Sequence, residues 1–127
     1  MIPTIEDVRA AAHRIEGIAV KTPLLRNDAL DDLTGAKVWV KAENLQRGGA
    51  FKMRGAANAL AALVPDVRSK GVIAFSSGNH AIAVSTAAKH VSVPATIVMP
   101  ADAPRIKLDT TRSLGANVVT YDRVNES

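Results

Sequence analysis

The chain contains no cysteine, which excludes disulfide staples, thiolate nucleophiles and cysteine-based zinc sites. Aromatic residues make up only 3% of it, so any core must be built mainly from Ala, Val, Leu and Ile. No apolar run is long enough to span a bilayer. The start, Met1-Ile2-Pro3-Thr4-Ile5-Glu6-Asp7, is acidic and lacks a signal-peptide pattern. No membrane role is expected, and a cytoplasmic location is the default expectation. Histidine is sparse too: His13, His80 and His90 lie in separate segments without HxxxH-type spacing, so local sequence supports no metal site. Lysines and arginines are scattered, with few aromatics between them. The net charge of +4 therefore reads as a mild basic bias and not as a nucleic-acid surface.

What is present suits one modest globular domain: 127 residues, 47% of them hydrophobic. Thr4 with Asp7 resembles a capping box, and Ile5, Val8, Ala12 and Ile15 recur at helical spacing, so residues 4–16 read as an amphipathic helix. Thr22-Pro23 breaks the pattern, and Leu24-Leu25 reads as a short extended piece. A short helix over 28–33 is stopped by Gly35, and the alternation over 37–41 predicts a strand. A helix is expected from Lys52 to Pro65, a strand over 72–75, a helix over 79–90 and a strand over 96–99. Asp102 and Pro104 open another helix that Gly115 closes, and a last strand covers 118–121. Residues 123–127 look like the approach to a further helix. Short apolar strands separated by helices specify an α/β fold, an open parallel sheet with crossover helices.

Two segments at strand-to-helix junctions carry the chemistry. Lys52 lies in Phe51-Lys52-Met53-Arg54-Gly55-Ala56, behind a Gly48-Gly49 turn. An unprotonated amine there can attack a carbonyl and form a Schiff base. Arg54 is close enough in sequence to depress the Lys52 pKa, and Phe51 can shield a flat ring. The bland alternative is an ordinary helix-start lysine. The second segment is Ser76-Ser77-Gly78-Asn79-His80. It falls beyond the carboxyl end of a strand, where open α/β sheets bind ligands, and at a helix start, where free N–H groups favour an anion. Gly78 permits close backbone approach, while Asn79 and Ser77 offer donors. The bland alternatives are a βα turn with Ser77 as N-cap and a structural His80. Lys107, Asp109 and Arg112 read as the solvated face of their helix. The segment lacks the GxxxxGK[ST], three-glycine dinucleotide and GxSxG patterns.

The segments are more specific together than singly. Lys41-Ala42-Glu43-Asn44-Leu45-Gln46 leads into Gly49-Ala50-Phe51-Lys52-Met53-Arg54-Gly55-Ala56. Ser76-Ser77-Gly78-Asn79-His80-Ala81, Pro94 to Pro100, Asp102-Ala103-Pro104, Lys107, Thr111-Arg112 and Gly115-Ala116 follow. In this order they resemble the N-terminal part of the fold-type II pyridoxal-phosphate enzymes, in the group of threonine/serine dehydratases (ammonia-lyases), serine racemase and hydroxyaspartate dehydratase. Ala50 stands where that family usually has Ser, and Ile82-Ala83 where it favours Gln-Gly.

The resemblance implies pyridoxal phosphate bonded to Lys52, which later moves the substrate α-proton. It implies Phe51 packed on the cofactor ring and Asn79 hydrogen-bonded to its phenolic oxygen. Ser77 would act as acid/base on the opposite cofactor face, and Ser76, Ser77, Gly78, Asn79 and His80 would hold the substrate carboxylate. The implied activity is a threonine/serine ammonia-lyase that eliminates the β-hydroxyl to give a 2-oxo acid and ammonia. Serine racemase and hydroxyaspartate dehydratase are the alternatives. A small hydroxy amino acid is the implied partner, and a homo-oligomer the implied assembly of the full-length family. Residues 1–48 resemble elements that pack on a large domain, and 49–127 the lysine-bearing small domain. Family members are well over twice as long. Their phosphate-binding glycine loop and divalent-metal ligands lie beyond Ser127, so the chain reads as truncated. A non-catalytic fragment or interaction module is the remaining alternative.

Overall fold

The computed structural model describes residues 2–126. Helix α1 spans Ile5–Arg14, and its start follows from side-chain chemistry. Thr4 Oγ1 accepts from the Asp7 N–H at 3.3 Å while Asp7 Oδ2 accepts from the Thr4 N–H at 2.8 Å, a reciprocal capping box. The Thr4 backbone N–H and then its hydroxyl hold the Asp7 carboxyl below its ordinary pKa.

Strand β1, Leu24–Arg26, pairs antiparallel with β2, Trp39–Lys41, with Leu25 opposite Val40. Helix α2, Asp28–Thr34, joins them, capped by Asn27, whose side chain accepts from the Leu30 N–H at 3.2 Å. The strand expected from residue 37 begins only at Trp39. The Val38 N–H donates to Asp31 Oδ1 at 2.6 Å and so does not enter the ladder.

The second sheet follows the expected rhythm. Helices α3, Lys52–Ala61, and α4, Pro65–Lys70, precede β3, Val72–Phe75. Then come α5, Asn79–His90; β4, Ala95–Pro100; α6, Arg105–Ser113; and β5, Asn117–Tyr121. The three strands are parallel in the order β3-β4-β5, with Phe75 opposite Val98 and Val98 opposite Val119. This is the α/β class expected, an open parallel sheet with crossover helices. The single helix expected over 52–65 is two. Pro65 cannot donate a hydrogen bond and forces Val64 into an extended conformation (ψ 155°), so it opens α4 at its first turn instead of ending α3. The expected approach to a helix over 123–127 is a tight turn around Asp122, whose Oδ1 accepts from the Val124 N–H at 2.8 Å; Ser127 lies outside the described residues.

Sequential parallel strands with right-handed crossovers place α5 and α6 on one face of the sheet. The core forms there. Ile97 and Met99 of β4 are fully buried beneath Ala81, Val84 and Ala88 of α5. Helix α3 lies along α5 and offers Met53, Ala56, Ala57 and Leu60 to the same cluster. The opposite face carries Ile73 and Phe75, 74% and 67% exposed, with Phe75 tilted against Tyr121 at 5.5 Å between ring centroids.

Small side chains are what allow α3 and α5 to approach, so this contact cannot absorb extra volume. Ala57→Leu is expected to destabilise the chain by about 1–3 kcal/mol, read as a lower urea midpoint with an unchanged slope. An unchanged midpoint would mean that the two helices are not closely packed.

Candidate active site

The first chemical segment is seated by a close backbone approach. Gly48 has φ +73°, in the left-handed region, and a Cβ placed on it would lie 3.1 Å from Ile82 Cγ2 of α5. The turn before Lys52 therefore rests directly on the second helix. Ala50 is extended, Phe51 occupies the cap position, and Lys52 is the first residue of α3. Met53 is fully buried and anchors that first turn, whereas Phe51 and Lys52 are exposed. Lys52 Nζ stands 5.0 Å from the centroid of the Phe51 ring, within cation–π range.

The second segment begins where β3 leaves the ladder. The Ser76 N–H makes a last sheet bond to the Val98 carbonyl at 3.0 Å, and Ser76 Oγ accepts from the Gly78 N–H at 3.2 Å. Gly78, not Ser77, is the N-cap of α5, at φ −143° and ψ −139°, and no side chain caps the helix. The N–H groups of Asn79 and His80, at the first two helical positions, have no intrahelical partner. They point from the positive end of the helix dipole, an arrangement that attracts an anion. Ser77 is exposed. His80 is exposed too and lines a shallow groove with Gly55, Ala59 and Ile73.

Two expected placements need correction. Lys107 is not simply part of the solvated face of α6. It is half-buried, and its Nζ donates to Asn79 Oδ1 at 2.6 Å. Its neighbours Asp109 and Arg112 do form the exposed face, with Asp109 3.6 Å from Arg105 and 3.5 Å from Arg112. Nor does Arg54 serve Lys52. Its guanidinium forks onto Glu43, Nε to Oε2 at 3.0 Å and Nη2 to Oε1 at 2.7 Å, and also reaches Thr22 Oγ1 at 3.2 Å and the Val20 carbonyl at 3.1 Å. A planar fork matches a carboxylate better than a lone amine can.

Around this pair, the Thr22 hydroxyl donates to Glu43 Oε1 at 2.5 Å, and buried Gln46 exchanges two 2.8 Å hydrogen bonds with the Val20 backbone. The segment from Val20 to Gln46 is thereby fastened to the helix that starts at Lys52. The Arg54 hydrogen bond, aided by Thr22 and by the charge of Lys41, outweighs desolvation and holds the Glu43 carboxyl down at about 2. Sequence gives Glu43 and Gln46 only as part of the Lys41–Gln46 motif and Thr22 only as a break; their pairing with Arg54 is a tertiary contact across two turns and a helix start.

Other surface grooves lie elsewhere; one follows Asp7, Val8 and Arg14 of α1 against Asn58 and is lined by no lysine, serine or histidine. Among the described residues no group of three or more His, Asp or Glu side chains is placed to ligate a metal.

Lys52 thus opens one helix, the turn before it rests on a second helix, and the N-terminus of that second helix has no side-chain cap. Residues 15–127 match the family model described as pyridoxal-phosphate dependent enzyme, and the chain belongs to that family. It is 52% identical over 126 residues to an L-threo-3-hydroxyaspartate ammonia-lyase of Saccharomyces cerevisiae, covering 99% of this chain and 39% of that protein. It is 44% identical over 116 residues to an L-threonine ammonia-lyase of Thermotoga maritima, covering 91% of this chain and 29% of that protein. It superimposes on the structure of maize serine racemase with a TM-score of 0.92 at 39% identity, over 100% of this chain and 39% of that one. The chain thus spans well under half the length of these relatives.

The ionised Glu43 favours the folded state. Its carboxyl titrates at about 2 when folded and near its ordinary 4.5 when unfolded, so its contribution is complete above about 4.5 and fades as pH falls towards 2. Urea midpoints measured from pH 6 to 2.5 are expected to fall less steeply with acid in Glu43→Gln than in the parent. Equal slopes would remove Glu43 as a source of the acid sensitivity.

Proposed function

We propose that this chain carries the lysine-bearing part of the active site of a pyridoxal-phosphate-dependent ammonia-lyase acting on small β-hydroxy α-amino acids. The carrying observation is the seating of the Lys52 turn, through Gly48, on the helix whose uncapped N-terminus follows Ser76-Ser77-Gly78. The residues fit the cofactor. Lys52 offers the amine that bonds its aldehyde carbon, and Phe51 offers a flat apolar surface to its ring. Asn79 offers an amide hydrogen to its phenolic oxygen. When bound, pyridoxal phosphate supplies an electron sink for the charge left at the substrate Cα.

The chain's own groups then divide the work. The N–H groups of Asn79 and His80, with the hydroxyls of Ser76 and Ser77, hold the substrate carboxylate at the helix start. Lys52, once free, takes the proton from Cα as general base. The β-hydroxyl leaves as water, and hydrolysis of the released enamine by a second water yields a 2-oxo acid and ammonia. Residues 1–48 serve as elements that pack on a larger domain, and 49–127 as the lysine-bearing domain.

Serine and threonine are the substrates expected from sequence, and similarity supports 3-hydroxyaspartate equally, since the 52%-identical relative bears that name. Serine and threonine differ by one methyl group, worth only about 1–3 kcal/mol of discrimination in a pocket. Racemisation is the second reading. Ser77 favours it, because Gly78 takes the cap position and leaves the Ser77 hydroxyl available as an acid/base.

The chain loaded with pyridoxal phosphate is expected to change its visible absorption on addition of threo-3-hydroxyaspartate, serine or threonine, and to do so far less with leucine or glutamate. Lys52→Ala is expected to abolish the response. Release of 2-oxo acid in the same samples supports the lyase, and interconversion of serine enantiomers without it supports the racemase. An equal response to every amino acid contradicts both.

A further inference from the structure

The Lys107–Asn79 contact links the last crossover helix to the first residue of α5, and its chemistry is directional. A lysine ammonium only donates, so the atom it meets at 2.6 Å must be the amide oxygen of Asn79. An asparagine amide has two ends that exchange by a simple flip, and an isolated side chain presents either. Here the oxygen is taken, and the Nδ2 hydrogens are turned away from α6. The bond is charge-assisted, hence stronger than a neutral pair, and it polarises the amide so that its N–H groups become better donors. The backbone from which Lys107 extends is anchored. Its neighbours Leu108 and Thr111 are buried, and the Thr111 hydroxyl donates to the Lys107 carbonyl at 2.7 Å.

We infer that Lys107 is a positioning residue that fixes Asn79 with its amide hydrogens presented to the site. It thereby sets the hydrogen bond Asn79 makes to the phenolic oxygen of the cofactor. The inference rests on the reading of Lys52 and Asn79 given above and goes beyond it, because Lys107 touches neither cofactor nor substrate. With the cofactor bound, a donor at that oxygen would stabilise its negative charge most once Lys52 Nζ has lost its proton. Loss of the donor therefore raises the pH at which that proton leaves. One hydrogen bond of ordinary net strength corresponds to a rise of roughly 0.5–1 pH unit.

Two measurements on the chain separate the claims. The first is the side-chain amide resonance pair of Asn79, recorded without cofactor in the parent, Lys107→Met and Lys107→Arg. The second is the pH midpoint of the visible band in the same proteins loaded with pyridoxal phosphate, with Lys52→Ala as the control for the band itself. The expected result is a shifted Asn79 amide and a raised midpoint in Lys107→Met, both restored towards the parent in Lys107→Arg, which keeps a donor. An unmoved Asn79 amide in Lys107→Met overturns the inference whatever the cofactor does. A moved amide with an unmoved midpoint overturns it as well, since Lys107 would then shape the free site without acting on the cofactor. A parent protein with no Lys52-dependent band refutes the cofactor reading, and the positioning role with it; the amide resonances still report separately whether Lys107 holds Asn79.

Discussion

The alanine-lined contact between α3 and α5 is the constraint on which the site depends. Ala57, Ala81 and Ala87 are fully buried, and each has a side chain too small to hold neighbouring backbones apart. Helices that pack this closely bring their ends along with them. The turn before α3 is pressed onto α5 where Gly48 meets Ile82, and exposed Lys52 opens α3 three residues after that turn's second glycine, Gly49. The parallel sheet fixes the other half of this arrangement. It ends β3 at Phe75 and turns the chain through Ser76-Ser77-Gly78 directly into the helix. Packing thus sets where the two segments stand, with Lys52, Ser77, Asn79 and His80 left exposed on the rim of a core that contains none of them.

Polar interactions determine how that rim is oriented. Arg54 and Glu43 join α3 to the segment before it, with Thr22 and Gln46 completing the hydrogen bonding. Arg54 is two residues from Lys52, so the clamp acts on the same helical turn that carries the amine. On the other side, Lys107 reaches from α6 to Asn79. Each polar link joins one helix to a different element, and each is charge-assisted.

Much of this was legible in the sequence, for a reason that is local. Capping by Thr4 and Asp7, the apolar runs of β3 and β4, and the turn glycines act within a few residues, and the elements they specify stand where expected. The same punctuation places Ser76–His80 at a strand-to-helix junction and Lys52 at a helix start, although two 3-10 turns, Glu43–Leu45 and Arg47–Gly49, and not an extended segment, lead into Lys52. What was not legible depends on long separations or on competition between neighbours. Asn79 and Lys107 are 28 residues apart, and Glu43 and Arg54 are 11 apart across two turns and a helix start. Pro65 reads equally well as the end of one helix and as the first turn of the next, and the extended Val64 before it makes it the latter. Ser77 is a good N-cap by type, yet Gly78 takes the position, its own N–H donating to Ser76 Oγ.

The most direct test of the account is the identity of the lysine that captures the cofactor. The chain is incubated with pyridoxal phosphate, reduced with borohydride, and its modified lysines are mapped by mass spectrometry beside Lys52→Ala. Packing that singles out one amine predicts label concentrated on Lys52 and lost in the variant. Label spread over the exposed lysines, unchanged by the substitution, would contradict it.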